Sequence, residues 1–187
     1  GLEYEKRDMQ EAKIFGLNIA NSISDKKNHS LPTKSKLNEK RSDIVGNLFY
    51  SPNNILDFNY NFSYDKNLDG SNYDSISTTI NMDNFITSFN FLSEDDNIGN
   101  NEVVSNTTTY KFNNENSLQF KTSKDLKNDF TEYYNLIYTY ETDCLIASAE
   151  YGKKFYRDGS LVPDKSLLFT IRFIPFAEIK PAAASLN

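Results

Sequence analysis

Few residues of this chain are of a type that performs covalent chemistry. It has one cysteine, Cys144, and one histidine, His29, among 187 residues. Hydrolases need a nucleophile and usually a histidine base, but His29 lies in a polar stretch, and we interpret it as a solvated loop residue. No glycine-rich phosphate loop and no Cys/His spacing of a metal site occurs. The sequence therefore predicts no enzyme, no catalytic residue, no metal site and no cofactor.

Two other features could carry chemistry of a simpler kind. The acidic run Glu94-Asp95-Asp96 could bind a divalent cation, although a solvated loop is the interpretation that we favour. Cys144 cannot form a disulfide within this chain, because no second cysteine is present. It is therefore either a small inert apolar residue or the partner of a cysteine elsewhere.

Charge and hydropathy exclude some classes of protein. The net charge is −6, which argues against nucleic acid as a partner, since phosphate binding requires clustered Lys and Arg. No apolar window is long enough for a transmembrane helix, but barrel strands need only about 9–11 alternating residues. The chain starts at Gly1 without a signal peptide, as expected of a secreted protein without its signal or of a fragment.

Alternation of apolar and polar residues recurs along the whole chain. In its clearest instance, the apolar residues of Leu56–Tyr64 alternate with Asp, Asn and Ser. About ten such runs are present, and the others lie near 14–20, 44–50, 76–82, 85–91, 104–112, 118–120, 130–140, 145–155 and 167–173. The sequence therefore predicts an all-β fold of about ten antiparallel, up-and-down strands.

The apolar stripes and the links between strands favour a transmembrane β-barrel. Phe and Tyr dominate the stripes, as in the aromatic girdles of membrane barrels, whereas Val, Ile and Leu are more usual inside a soluble sandwich. The links also alternate in length, which is typical of outer-membrane barrels. The predicted long links are 21–41, 65–71, 93–101 and 157–165, the intermediate one is 124–128, and the tight ones are 51–54, 83–84, 113–116 and 142–143.

The C-terminal run from Asp143 to Phe176 resembles the last two strands of the LptD family, the lipopolysaccharide-assembly proteins, in their alphaproteobacterial form. It has an Asp-Cys start, a basic and aromatic strand end, a turn with Pro, and a Ser-Leu-Leu-Phe strand. Ser42–Gly46 (SDIVG) resembles a short strand opening of this family, and Gly1–Tyr4 (GLEY) is a weaker match. The resemblance implies that residues 1–176 form the C-terminal part of a large outer-membrane barrel, with a tail at 177–187.

The resemblance also implies a function and partners. Members of this family insert lipopolysaccharide into the outer leaflet of the outer membrane, around an LptE-like plug lipoprotein. They receive it from a periplasmic Lpt bridge through an N-terminal domain that this chain does not contain. In this family, lipopolysaccharide leaves through a lateral gate beside the last strand. In this chain we expect the last strand at 167–176. Its gate residues would be Leu167, Phe169, Ile171, Phe173 and Pro175, although the simpler interpretation of Pro175 is that it only ends the strand.

The same strand resembles the signal that the barrel-assembly machinery reads. Lys165 and Ser166 would supply the polar and small residues, followed by the apolar residues Phe169 and Ile171. The simpler interpretation is a last strand with a stripe that faces outer-membrane lipid. Both interpretations can hold for the two apolar residues.

For Cys144, the resemblance implies a disulfide to a cysteine in or near the periplasmic N-terminal domain. The alternating links place Cys144 beside a short turn, which is the periplasmic kind, and the periplasm is oxidising.

Two other functions stay open on the sequence alone. One is a porin-like or other outer-membrane channel, and the other is a soluble carbohydrate-binding β-sandwich.

Overall fold

In the part of the chain that the structure describes, the alternating sequence forms eleven long strands and two short ones. The computed structural model describes residues 1–95, 99–156, 162–174, 177–179 and 184–185. A single-turn 3₁₀ segment at Lys34–Lys36 is the one helical element in those ranges. The strands are β1 (Leu2–Arg7), β2 (Lys13–Ala20), β3 (Ile44–Asn53), β4 (Leu56–Tyr64), β5 (Ser71–Met82), β6 (Phe85–Glu94), β7 (Glu102–Lys111), β8 (Asn116–Asp125), β9 (Phe130–Glu141), β10 (Leu145–Lys154), β11 (Asp164–Phe173), β12 (Ala177–Ile179) and β13 (Ala184–Ser185).

The strand order in the sheet follows the order in the chain, from β1 to β12, and β13 pairs with β11. The all-β, antiparallel, up-and-down prediction is confirmed, and the fold is consistent with a barrel-type sheet. The predicted number of strands was about ten, and β1 is the additional long strand. It was missed because it holds only two apolar residues among charged ones, Leu2 and Tyr4.

The links between strands alternate in length as predicted, except at 126–129. The short ones are 8–12, 54–55, 83–84, 112–115 and 142–144, and the intervening ones are 21–43, 65–70, 95–101, 126–129 and 155–163. The link 126–129 is as short as some of the first set. The prediction for it was an intermediate length.

Asn and Asp side chains close several of the short turns. The Oδ1 atom of Asn53 accepts hydrogen bonds from the backbone N–H groups of Ile55 and Leu56, at 3.0 and 3.1 Å. Asn113 does the same for Glu115 and for Asn116, the first residue of β8, at 2.9 and 2.8 Å. Such side chains replace the backbone partner that a tight turn lacks. They fix where each hairpin turns, and therefore the register of the strands that follow.

The chain divides into two compact units. The first comprises Gly1–Ile80 with Phe89–Val103, and the second comprises Asn81–Ser88 with Val104–Asn187. Among the described residues of both units, no apolar side chain is buried. A soluble domain of this length buries a substantial apolar core. The strands are instead held by their ladder hydrogen bonds and by cross-strand side-chain pairs.

Candidate functional site

The second unit has an apolar face that is open to its surroundings. The register of β8 to β11 aligns apolar side chains across the four strands, and Leu136, for example, lies between Phe120 and Tyr151. Tyr138 is 43% exposed and Phe169 is 53% exposed. The main members of this face are Leu118, Phe120, Tyr134, Leu136, Tyr138, Tyr140, Ala147, Ala149, Tyr151, Leu167, Phe169, Ile171 and Phe173.

The opposite face of the same strands is polar and less accessible. Ser123 and Gly152 are buried there, and Asn135, Thr139 and Ser148 are half-buried. A water-soluble sheet shows the reverse, with its apolar side covered and its polar side in solvent. In this unit, apolar side chains point outward and polar side chains lie on the sheltered side.

The first unit repeats this division. Phe58, Tyr60 and Phe62 of β4 lie on the face that carries the apolar residues of β2 and β3, and Asn59 and Asn61 lie on the other face. The amide groups of that polar face are connected to one another. The Nδ2 atom of Asn47 donates to Oδ1 of Asn59 at 2.6 Å and to Oδ1 of Asn61 at 2.9 Å. Asn59, Asn61, Asn135 and Thr139 therefore all lie on polar faces.

A basic and aromatic cluster marks one end of the apolar face in the second unit. The Nζ atom of Lys153 lies 4.7 Å from the ring centroid of Phe155 and 5.9 Å from that of Tyr134. The two rings are 5.6 Å apart. A lysine whose stem follows aromatic rings and whose ammonium group reaches past them is typical of a membrane–water boundary. This cluster is a candidate for the edge of an apolar band.

A polar network, which we call the Asp43 cluster (Lys36, Asp43, Asp65, Asn72), connects the links 21–43 and 65–70 with the start of β5. Asp43 is 2% exposed. Its Oδ2 atom accepts a hydrogen bond from Nδ2 of Asn72 at 2.9 Å, and its Oδ1 atom lies 3.7 Å from Nζ of Lys36. Lys36 also donates a hydrogen bond to the carboxylate of Asp65. A buried carboxylate requires such compensation, and Lys36 supplies the positive charge.

The charges of this cluster shift one another's pKa. The hydrogen bond from Lys36, together with one from the backbone N–H of Asn67, holds the pKa of Asp65 below its ordinary value. The carboxylate of Asp65 raises the pKa of Lys36 in return. Both shifts favour the charged forms. Lys36 and Asp65 therefore stay ionised at neutral pH and join the two links.

Cys144 lies in the short link 142–144, directly before β10. Its side chain is exposed and free, and Oγ1 of Thr142 lies 3.9 Å from its sulfur. Its backbone oxygen accepts a hydrogen bond from the N–H of Ile174 at 2.9 Å, which ties the turn to the end of β11. The sulfur is thus exposed on a turn whose backbone is tied to the end of β11. The predicted disulfide itself stays a prediction.

The predicted last-strand residues lie on β11. Lys165, Leu167, Phe169, Ile171 and Phe173 share its apolar face, and Ser166 lies on the polar face. The strand spans Asp164–Phe173, so it begins and ends three residues earlier than the expected 167–176. Pro175 and Phe176 lie outside the described residues.

Part of the predicted tail belongs to the sheet. Residues 177–179 form β12 and pair with Ile171–Phe173, and residues 184–185 form β13 and pair with Ser166 and Leu167. The edge of β11 that was expected to border the gate is therefore partly occupied by the chain's own C-terminal residues.

The other sequence candidates do not converge on one place. His29 is exposed in the link 21–43. The Oε2 atom of Glu94 accepts a hydrogen bond from Nδ2 of Asn101 at 2.8 Å, which closes the base of the link 95–101. The backbone N–H of Asp95 donates to the backbone oxygen of Asn72 at 3.0 Å. Asp96, the third member of the acidic run, lies outside the described residues.

Sequence reasoning missed two polar features. One is the Asp43 cluster, whose members are far apart in the chain. The other is Asp74, which lies on the apolar face opposite Phe62 and accepts a hydrogen bond from Oη of Tyr60 at 2.5 Å. For Asp74 a signal was available, because it occupies a position of β5 at which the alternation calls for an apolar residue.

In the described ranges, no helix has the length and apolar character needed to cross a membrane. No protein-family model matches this chain, and no curated protein matches it.

Proposed function

We propose that this chain is part of an outer-membrane β-barrel that inserts lipopolysaccharide into the outer leaflet. The observation that carries the proposal is the inverted sheet, in which aromatic and aliphatic side chains are exposed while hydroxyl and amide side chains are sheltered. Lipid is the environment that an outward apolar face requires, and an enclosed aqueous path is the one that the polar face requires. A soluble β-sandwich would instead cover its apolar face with a second sheet.

The apolar face and the polar face together support lipopolysaccharide as the cargo. Lipopolysaccharide has a lipid part and a glycan part, and a transporter must provide a suitable surface for each of them. The polar face offers amide and hydroxyl groups such as Asn47, Thr139 and Ser148, which exchange hydrogen bonds with sugars and water. The resemblance of Asp143–Phe176 to the LptD family narrows the proposal from a general barrel to a lipopolysaccharide translocon.

The orientation follows from the links. Outer-membrane barrels have short turns on the periplasmic side and longer loops outside the cell. The link that contains Cys144 is one of the short set, so Cys144 would face the periplasm, while 21–43 and 155–163 would face outward. This orientation supports a disulfide from Cys144 to a periplasmic domain. In the same scheme β11 borders the lateral gate and carries the signal for the barrel-assembly machinery, while an LptE-like lipoprotein occupies the interior.

Depletion tests the proposed function directly. When expression of the whole protein is shut off, we expect lipopolysaccharide on the cell surface to fall as the protein is diluted by growth, and to accumulate inside the envelope. Restored expression is the control. Unchanged surface lipopolysaccharide, with loss of small-solute uptake instead, would identify a porin-like channel and refute the proposal.

The disulfide is tested separately. In the whole protein from cell envelopes, we expect a mobility shift between non-reducing and reducing gels, and we expect Cys144→Ser to abolish it. Thr142→Ser, in the same turn, is the matched control and should leave the shift unchanged. A Cys144 thiol that reacts fully with a maleimide probe in the unreduced protein would contradict the disulfide.

A further inference from the structure

The polar face of β9, β10 and β11 contains a hollow above Gly152. The register places Gly152 between Asn135 and Ser166, and it places Lys154, in the next row, between Tyr133 and Asp164. These six residues line one cleft, which we call the Gly152 hollow. Gly152 is buried at its floor, while Lys154 and Asp164 are exposed at its rim.

The missing side chain of Gly152 lets two polar groups close in on the floor. A Cβ atom there would lie 3.0 Å from Oγ of Ser166 and 3.1 Å from Oδ1 of Asn135, so a methyl group would have to displace both of them. No described glycine has a positive φ, so the backbone at Gly152 does not require glycine. Glycine weakens a strand interior, and such a residue often marks a close approach by a ligand.

The groups around the floor are held in fixed roles. Nδ2 of Asn135 donates a hydrogen bond to Oε1 of Glu150 at 2.8 Å, which orients the amide and leaves its Oδ1 atom beside Gly152 as an acceptor. The hydroxyl of Ser166, on the other side, can donate and accept. At the rim, Lys154 brings donors and Asp164 brings acceptors. Tyr133 adds an aromatic ring with an apolar face.

This mixture of groups selects one class of ligand. A phosphate or another anion requires donors and positive charge, which Lys153 and Lys154 supply, but the carboxylate of Asp164 at the rim opposes it. An apolar ligand would leave Asn135 and Ser166 without partners when it displaced water. A sugar ring fits, because each hydroxyl both donates and accepts while the C–H face of the ring can lie on Tyr133.

We propose that the Gly152 hollow binds a neutral sugar residue of a glycan. The proposal builds on the proposed function, in which a glycan passes along the polar face, and it assigns one contact point on that path. A single sugar on an open strand surface makes few contacts. We therefore expect weak binding that exchanges rapidly, which suits a path along which cargo must move.

Saturation-transfer NMR on the whole protein in detergent micelles tests the proposal. The probes are the oligosaccharide released by mild acid from lipopolysaccharide of the same cells, and maltohexaose as an unrelated glucan. We expect saturation transfer to the first probe in the wild type. We expect Gly152→Ala, which displaces the two polar groups at the floor, and Tyr133→Ala, which removes the ring, to weaken binding by about tenfold, equivalent to about 1.4 kcal/mol.

Two matched variants control for general effects. Gly16→Ala places the same methyl group on the polar face of β2, where the nearest atoms are those at the flexible end of Lys13. Tyr140→Ala removes the same ring from the apolar face of β9. Both controls should bind as the wild type does. If Gly152→Ala fails to fold, the comparison of Tyr133→Ala with Tyr140→Ala still tests whether the hollow binds sugar.

The outcomes separate this proposal from the proposed function. The sugar site is overturned if neither probe receives saturation transfer. It is also overturned if Gly152→Ala and Tyr133→Ala both bind as the wild type does. Binding of maltohexaose as strong as that of the released oligosaccharide supports a general glycan site. If sugar binds but surface lipopolysaccharide is unchanged after depletion, the sugar site stands and the proposed function is refuted. If surface lipopolysaccharide falls after depletion but no sugar binds, the proposed function stands and the sugar site is refuted.

Discussion

At the scale of single residues, two glycines of the first unit differ in the room that they leave. A Cβ atom at Gly46 would lie 2.3 Å from Cζ of Phe62 and 2.7 Å from the backbone oxygen of Asn18. The backbone oxygen cannot retreat without disturbing the paired strands β2 and β3. At Gly16 the nearest atoms to the Cβ would be those at the end of the Lys13 side chain, which is flexible and can move away, although its ammonium group pairs with Glu5.

We therefore expect Gly46→Ala to lower the free energy of unfolding by about 1–3 kcal/mol, since overpacking has costs of that size. Gly16→Ala should change it by less than about 0.5 kcal/mol. Urea unfolding of the protein in lipid vesicles, followed by circular dichroism, measures both. Equal effects of the two substitutions would show that the close approach at Gly46 is relieved in solution.

The charged groups of the Asp43 cluster predict a dependence of stability on pH. The pKa of Asp65 is lowered in the folded protein from an ordinary value of 3.8, so its contribution is present above that pH and is lost as the pH falls through the lowered value. The pKa of Lys36 is raised from 10.5, so its contribution is present below that pH and is lost as the pH rises through the raised value.

The rate at which a protease cuts the link 21–43 should therefore stay constant between these limits and increase outside them. Asp65→Asn should raise the rate at neutral pH and weaken its increase in acid. Asp69→Asn, which changes a neighbouring exposed carboxylate, is the control and should behave as the wild type does. If Asp65→Asn and the wild type have identical pH profiles, the ion pair does not hold this link.

Residues of the candidate surfaces were predictable to different degrees. The alternation of Leu56–Tyr64 predicted that Asn59 and Asn61 lie on the polar side, because a strand has a strict period of two. The Asp43 cluster was not predictable in this way. Its ion pair joins Lys36 to Asp65, which are 29 positions apart, and no local pattern records such a contact.

At the scale of elements, positions on the two faces of β9 should differ in how much stability they lose when the same charge is introduced. Leu136 is 42% exposed on the apolar face, whereas Thr139 is half-buried on the polar face. We expect Leu136→Arg to lower the stability of the membrane-inserted protein by about 2–4 kcal/mol, because an arginine would face lipid. Thr139→Arg is the matched control and should cost much less.

Unfolding in lipid vesicles gives both values, and the amount of each variant in the outer-membrane fraction provides a second measure. A similar tolerance at both positions would mean that the apolar face of β9 does not meet lipid.

The element boundaries show where periodicity stops being informative. The sequence located Leu56–Tyr64 correctly because its alternation is unbroken. Only 118–120 could be predicted for β8, which spans Asn116–Asp125, because its other positions are all polar or charged. The alternation also did not predict the shift in the register of β8 with β9 between Ser123 and Lys124. Hydrogen bonds to both neighbouring strands, rather than residue preferences, define such a strand.

At the scale of the whole molecule, the lack of any buried apolar side chain among the described residues has a direct experimental consequence. In aqueous buffer without detergent, we expect the protein to aggregate or to stay unfolded, because its aromatic faces would be exposed to water. In detergent or lipid vesicles we expect a β-sheet spectrum and a form that resists heat. A monodisperse, folded protein in plain buffer would contradict the membrane assignment and favour a soluble β protein.

The pairing of the C-terminal residues with β11 also sets a condition for assembly. The short strands β12 and β13 occupy Ile171–Phe173 and Ser166–Leu167 on the outer edge of β11, and among the described residues 168–170 have no partner on that edge. A strand that arrives to join β11 needs the same backbone groups that β12 and β13 now use. The arrival of such a strand would therefore be a strand exchange, which would have to displace β12 and β13 from β11.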